Sequence, residues 1–130
     1  MRAILLGGAL CLAMTCAAQA QIARGKYIVE RVGMCGDCHT PRDAKGEPIA
    51  SKALQGAPLG LRPVHPMPFA DAAPRIAGLP ENWTLAQAAT FLETGKRPNG
   101  TEPMPPMPPY RLSKDDALAV ATYLKSLKPN

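Results

Sequence analysis

The sequence is short of the residues that hold many small exported domains together. It has four cysteines in 130 residues, and two of them, Cys11 and Cys16, sit in a segment unlike the rest. Arg2, an almost wholly apolar run from Ala3 to Ala17, and the small-x-small triplet Ala18-Gln19-Ala20 follow the order of a cleaved export signal. The run is shorter than the roughly 20 residues of a membrane span, which disfavours an uncleaved anchor. Thr15 and Leu10 are poor residues to precede a lipidated Cys16 or Cys11. Residues 1–20 are therefore read as a signal peptide and residues 21–130 as one exported, periplasmic domain. That domain keeps only Cys35 and Cys38, so no scaffold of disulfide bridges can form. Another device must stabilise so small a chain.

Other absences narrow the reading further. Aromatics are few, with one Trp, three Tyr and two Phe. The net charge is +5, or +4 without Arg2, and Lys and Arg are scattered rather than gathered in a stripe. A nucleic-acid binder needs such a stripe, so that class is set aside. A mild positive surface can still steer an acidic protein partner. No stretch alternates in the manner of a β-strand, and no repeat is visible.

Three segments carry helical periodicity. The first spans about Ile22 to Met34, with Ile22, Lys26, Val29 and Val32 or Gly33 on neighbouring turns. The second spans Leu85 to Thr94, where Thr84 and Gln87 have capping-box spacing, Leu85, Ala88, Ala89 and Leu92 form a stripe, and Gly95 ends it. The third spans Lys114 to Leu127, with Ser113 as N-cap and Asp115 and Asp116 in its first turn. Its stripe is Leu118, Ala121, Leu124 and Leu127, flanked by Val120 and Tyr123. Fourteen of the fifteen prolines lie from Pro41 to Pro109, and long regular elements cannot run through them. A loop from Thr40 to Trp83 is far too long for a plain helical bundle. It carries Leu54, Leu59, Leu61, Val64, Phe69 and Ile76, which suits a wrapper around a large apolar cofactor better than disorder.

Cys35-Gly36-Asp37-Cys38-His39 supplies that cofactor. Haem has vinyl groups on adjacent pyrroles, and thiols three positions apart can reach both as thioethers. His39, the next residue, is then held beneath the iron. The pattern C-x-x-C-H is a haem attachment signature. A structural zinc needs four ligands, and no second pair of cysteines or histidines is at hand. A thioredoxin-like pair expects a strand-helix setting, which this chain lacks. A plain short-loop disulfide leaves the trailing histidine unexplained. One motif implies one covalently bound haem c.

For the opposite face of the iron, Met104 and Met107 lie in the run Pro103 to Tyr110, just before the last helix. A thioether is a soft neutral ligand that suits haem iron and raises its reduction potential. Prolines should hold the run near an extended polyproline form and keep a sulfur in place. His65 is the competing ligand.

These features resemble the class I c-type cytochromes across nearly all of residues 21–130. The stretch from Arg24 to Pro41 is similar to the first helix and haem motif of that class. Trp83-Thr84, Thr94-Gly95, Pro105-Pro106-Met107-Pro108 and Ala121 to Leu127 are most similar to bacterial cytochrome domains that serve alcohol, aldehyde and sugar-acid dehydrogenases. The resemblance implies an all-α, cytochrome c-like fold of three main helices and long Pro-rich loops around one haem. It selects Met107 over Met104 as the ligand. It implies a crossing of first and last helices near Gly25 and Tyr123, where Ala121 also suits close approach. It implies a proline carbonyl bonded to His39, for which Gly56-Ala57-Pro58-Leu59 is the nearest candidate. By their donor chemistry, Trp83 can give its N–H to a haem propionate and Arg75 can pair with one. The chain departs from the pattern between Ala44 and Arg75, and it has one haem motif where such subunits often have several.

The expected function is outer-sphere electron transfer, not catalysis, between redox protein partners such as a dehydrogenase donor and an oxidase or cytochrome acceptor. Membrane contact is expected to be peripheral or absent, and the protein a monomer or a subunit of a dehydrogenase complex. A haem enzyme or gas sensor would need a displaceable sixth ligand, which the methionines argue against.

Overall fold

The computed structural model describes the backbone from Leu5 to Asn130 and the side chains from Cys16 onward. Helix α1 covers Leu5–Tyr27 and widens into a π-helical turn at Ile28–Val32. The sequence places the helix start at Ile22, yet α1 begins in the apolar leader and passes Ala20 without a break. The leader is rich in Ala, Leu and Met, which are strong helix formers. The Arg2 end of the proposed signal lies outside the described residues. Among the described residues no helix is long and apolar enough to cross a membrane.

A single turn, α2, spans Gly36–His39. The chain then forms a 3-10 turn at Ala50–Lys52 and a short antiparallel pair, β1 (Ala57–Pro58) with β2 (Ala72–Ala73), before α3 (Leu85–Thr94) and α4 (Lys114–Ser126). The expected all-α fold holds, apart from this pair. Ala57 faces Ala73 in register, a pairing too short to leave alternation in the sequence.

The two later helices start and stop where their caps dictate. Thr84 Oγ1 accepts from the Gln87 amide at 3.2 Å, and the Thr84 amide donates to Gln87 Oε1 at 2.9 Å. Gly95 closes α3 at φ 74°, its amide donating to Phe91 O at 2.8 Å. Ser113 Oγ accepts from the Asp116 amide at the head of α4.

The faces they bury differ slightly from the expected stripes. In α4 the core face is Ala117, Val120, Ala121 and Leu124, while Leu118 is 37% exposed. The choice follows from α1 and α3 both packing on α4. Ala117 and Ala121 are fully buried there, whereas Leu118 is partly exposed. In α3, Phe91 joins Ala88 and Leu92 in the core. In the first helix Val29 is 1% exposed and Ile28 is buried, whereas Val32 is out in solvent.

The α1–α4 crossing is close. A Cβ added at Gly25 would collide with the Ala119 carbonyl and lie 2.8 Å from Tyr123 Cβ. The nearest backbone is therefore at Ala119 rather than Ala121, with Tyr123 beside it as expected. Arg24 pairs with Asp116 at 2.8 Å across the same crossing, an exposed contact that adds little. Tyr123 donates its hydroxyl to Glu30 Oε1 at 3.0 Å.

The long segment after α2 is bonded at fixed points. The Leu54 carbonyl accepts from the amides of Ile76 and Ala77, and the Gly78 amide reaches Leu124 O. Gly56, at φ 89°, has the Arg75 amide where a Cβ would sit. The segment folds back on itself and on α4, leaving an interior space between it and the helices.

Gly25→Ala should lower unfolding stability by about 1–3 kcal/mol through overpacking, read by urea unfolding. The Tyr123 hydroxyl is pushed up from 10.0 to about 12, first by burial and then by its bond to Glu30. Folded protein thus holds this proton more tightly than unfolded chain. The resulting stability is complete below the unfolded value and is lost as pH rises toward about 12. Urea unfolding on either side of pH 10 should show a steeper loss in the native protein than in Tyr123→Phe. Equal losses would contradict this.

Candidate functional site

The π-helical turn aims the next segment. The Gly33 amide donates to Ile28 O at 2.7 Å and the Cys35 amide to Val29 O at 3.0 Å. Met34 then takes φ 46°, a left-handed conformation uncommon for a residue with a side chain. The chain reverses there into α2, which presents Cys35, Cys38 and His39 to one cavity. A π-turn beside a functional segment is a frequent association.

His39 is buried and fixed from both ends. Its ring Nδ1 lies 2.7 Å from the Pro74 carbonyl. A carbonyl only accepts, so Nδ1 carries the proton and Nε2 keeps its lone pair. Its own carbonyl accepts from the Gly56 amide at 2.8 Å, and the neighbouring Thr40 Oγ1 accepts from the Leu54 amide at 3.0 Å. Burial lowers the His39 pKa, an effect the Pro74 bond partly opposes, which favours the neutral imidazole. The expected proline carbonyl is real, but it is Pro74 and not the Gly56–Leu59 stretch. That stretch supplies β1, which pairs with the strand leading to Pro74.

The cavity has a volume of about 450 Å³, within the range of small-molecule and cofactor sites. Its walls are mostly apolar, with Ile76, Leu79, Phe91, Leu92, Val120 and Leu124 among them. Trp83 stands edge-on to Phe91, ring centres 5.2 Å apart. Met104 and Met107 both line it. Met107 is half-buried and packs on the core, whereas Met104 is 45% exposed. The loop is not extended as expected. It turns, and the Met107 amide donates to Met104 O at 3.3 Å.

Cys35 and Cys38 are unpaired, and burial pushes the Cys35 thiol up. Among the described residues no group of three or more His, Cys, Asp or Glu could hold a metal ion by itself. His65 is exposed and absent from the cavity wall.

The family model for cytochrome c matches residues 22–128. The chain belongs to the cytochrome c family. This cytochrome is 34% identical over 120 residues to the cytochrome c subunit of a quinone alcohol dehydrogenase from Gluconacetobacter polyoxogenes, covering 84% of this chain and 25% of that one. It is 30% identical over 113 residues to the fructose dehydrogenase cytochrome subunit of Gluconobacter japonicus, covering 80% of this chain and 21% of that subunit. It is 32% identical over 107 residues to a diheme cytochrome c-type protein of Cereibacter sphaeroides, covering 78% of this chain and 34% of the relative. The chain spans about a fifth to a third of the length of these relatives.

Membership implies a covalently bound haem c, and the cavity fits one. It offers paired thiols, an imidazole with a free Nε2 and thioether sulfurs, all within apolar walls. Two further residues were not legible as site residues. Arg97 lines the cavity, with its guanidinium on the Glu102 carbonyl and Thr101 Oγ1. Tyr110 also lines it and donates to the Gly33 carbonyl at 3.1 Å. A lone Arg or Tyr in a loop gives no periodic signal. Arg75, expected at a propionate, instead bonds the carbonyls of Ala77 and Leu79 and is not on the cavity wall.

Proposed function

We propose that this cytochrome is a periplasmic single-electron carrier with one haem c, attached through Cys35 and Cys38 and ligated by His39 and Met107. The observation that carries the reading is the convergence of those four side chains on one apolar cavity. The haem supplies the one-electron couple. Around it, His39 is oriented by the Pro74 carbonyl, which strengthens it as a ligand. The half-burial of Met107 favours it over the exposed Met104, and the exposure of His65, which is not on the cavity wall, speaks against it as the ligand. The apolar walls exclude water and favour a stable coordination. Met34 and Met104 line the cavity yet are exposed, so they mark its mouth, where a redox partner would meet the haem edge. The net positive charge, +5 and +4 without Arg2, suits an acidic partner.

A second reading is a cytochrome subunit of a periplasmic dehydrogenase complex. It is favoured by the relatives that bear such names. A stable lone protein would support the shuttle, and co-purification with a larger dehydrogenase would support the subunit.

Met107→Ala should abolish the weak red absorption band of methionine-ligated ferric haem, and Met104→Ala should retain it. The reverse result would move the ligand to Met104. Replacing Cys35 and Cys38 together with Ala should let acidified solvent extract the haem. Haem that stays bound through extraction would contradict attachment at those cysteines.

A further inference from the structure

The loop that carries Met107 is tied across the cavity by one side chain. Tyr110 follows Met107 by three residues, with Pro108 and Pro109 between them. Its hydroxyl donates to the Gly33 carbonyl at 3.1 Å, joining residues 77 positions apart. Gly33 is where the π-helical turn ends, two residues before Cys35, whose amide is itself held by Val29 O. A Cβ added at Gly33 would lie 3.3 Å from Cys35 Sγ and 3.4 Å from the Tyr110 oxygen. The hydroxyl and the thiol therefore crowd the same spot. The loop's other anchors lie away from the cysteine segment. Pro105 O accepts from the Ala70 amide at 2.7 Å, and the Leu112 amide reaches Leu92 O at 3.1 Å. Tyr110 supplies the link from the methionine side of the cavity to the cysteine side.

We propose that Tyr110 is a positioning residue for the sixth iron ligand: its bond to Gly33 holds the Met107 loop against the cysteine segment and keeps the sulfur on the iron. The proposal rests on the reading of Met107 as ligand. An outside ligand binds only when the loop has opened, so its apparent affinity scales with the open fraction. Loss of one hydrogen bond should raise that fraction about three- to tenfold.

The test is imidazole titration of the purified ferric holoprotein, well below its unfolding temperature. Tyr110→Phe should keep the weak red band without imidazole, yet bind imidazole about three- to tenfold more tightly than the native protein. Tyr123→Phe is the control, because it removes a similar hydroxyl bond, to Glu30 at 3.0 Å, away from the cavity. Its imidazole affinity should match the native protein. Native affinity in Tyr110→Phe would overturn the proposal, as would an equal rise in Tyr123→Phe, which would mean general loosening. Met107→Ala in the same titration separates the two readings. If it retains the red band, the ligand assignment falls and the proposal falls with it. If it loses the band while Tyr110→Phe behaves as native, the tie alone is wrong.

Discussion

The bond from His39 Nδ1 to the Pro74 carbonyl is the constraint on which the rest of the site depends. It sets the tautomer, the tilt of the ring and the direction of the free lone pair. The C-x-x-C-H motif alone sets none of these. Placing a carbonyl 2.7 Å from the ring requires residues 35 positions further along the chain to return to α2. The β1–β2 pair, the left-handed Gly56 and the double acceptance at Leu54 O accomplish that return. The long segment after α2 thus positions the His39 ring, which explains why it is fixed despite having so little regular structure.

The cavity and the core share their walls. Phe91, Leu92, Val120 and Leu124 belong to both. A chain this small buries a limited core by itself and commonly relies on a metal, a disulfide or a comparable device. A bound haem would complete that core, and the covalent attachment proposed at Cys35 and Cys38 would make the completion permanent. The same apolar interior that stabilises the fold would shield the iron, so stability and redox behaviour should respond together to substitutions in the cavity wall.

What the sequence made legible follows from which signals are local. The caps of α3 and α4 lie within three or four residues of what they cap, so Thr84, Gln87, Gly95 and Ser113 could be read directly. The haem motif is local as well, as is the pairing of methionines with prolines. The place of the Pro74 carbonyl, the Tyr110–Gly33 bond and the presence of Arg97 on the cavity wall depend on how loops close, and loop closure leaves no pattern. In α4, hydrophobicity favours Leu118 over Ala117, yet Ala117 is the buried one, while Ala121 and Leu124 of the expected stripe are buried. Close packing against α1 and α3 selects the smaller residue. The upstream start of α1 lies in a segment with the pattern of a cleaved signal, whose Ala, Leu and Met residues nonetheless favour a helix.

We propose that His39 and Met107 face each other across one haem in this cavity. Nuclear magnetic resonance of the ferrous holoprotein with carbon-13-labelled methionine methyls tests it most directly. The account predicts one methyl signal displaced far upfield by the haem ring current, assigned to Met107, with the others in their ordinary range. A displaced methyl assigned to another methionine, or none displaced at all, would contradict it.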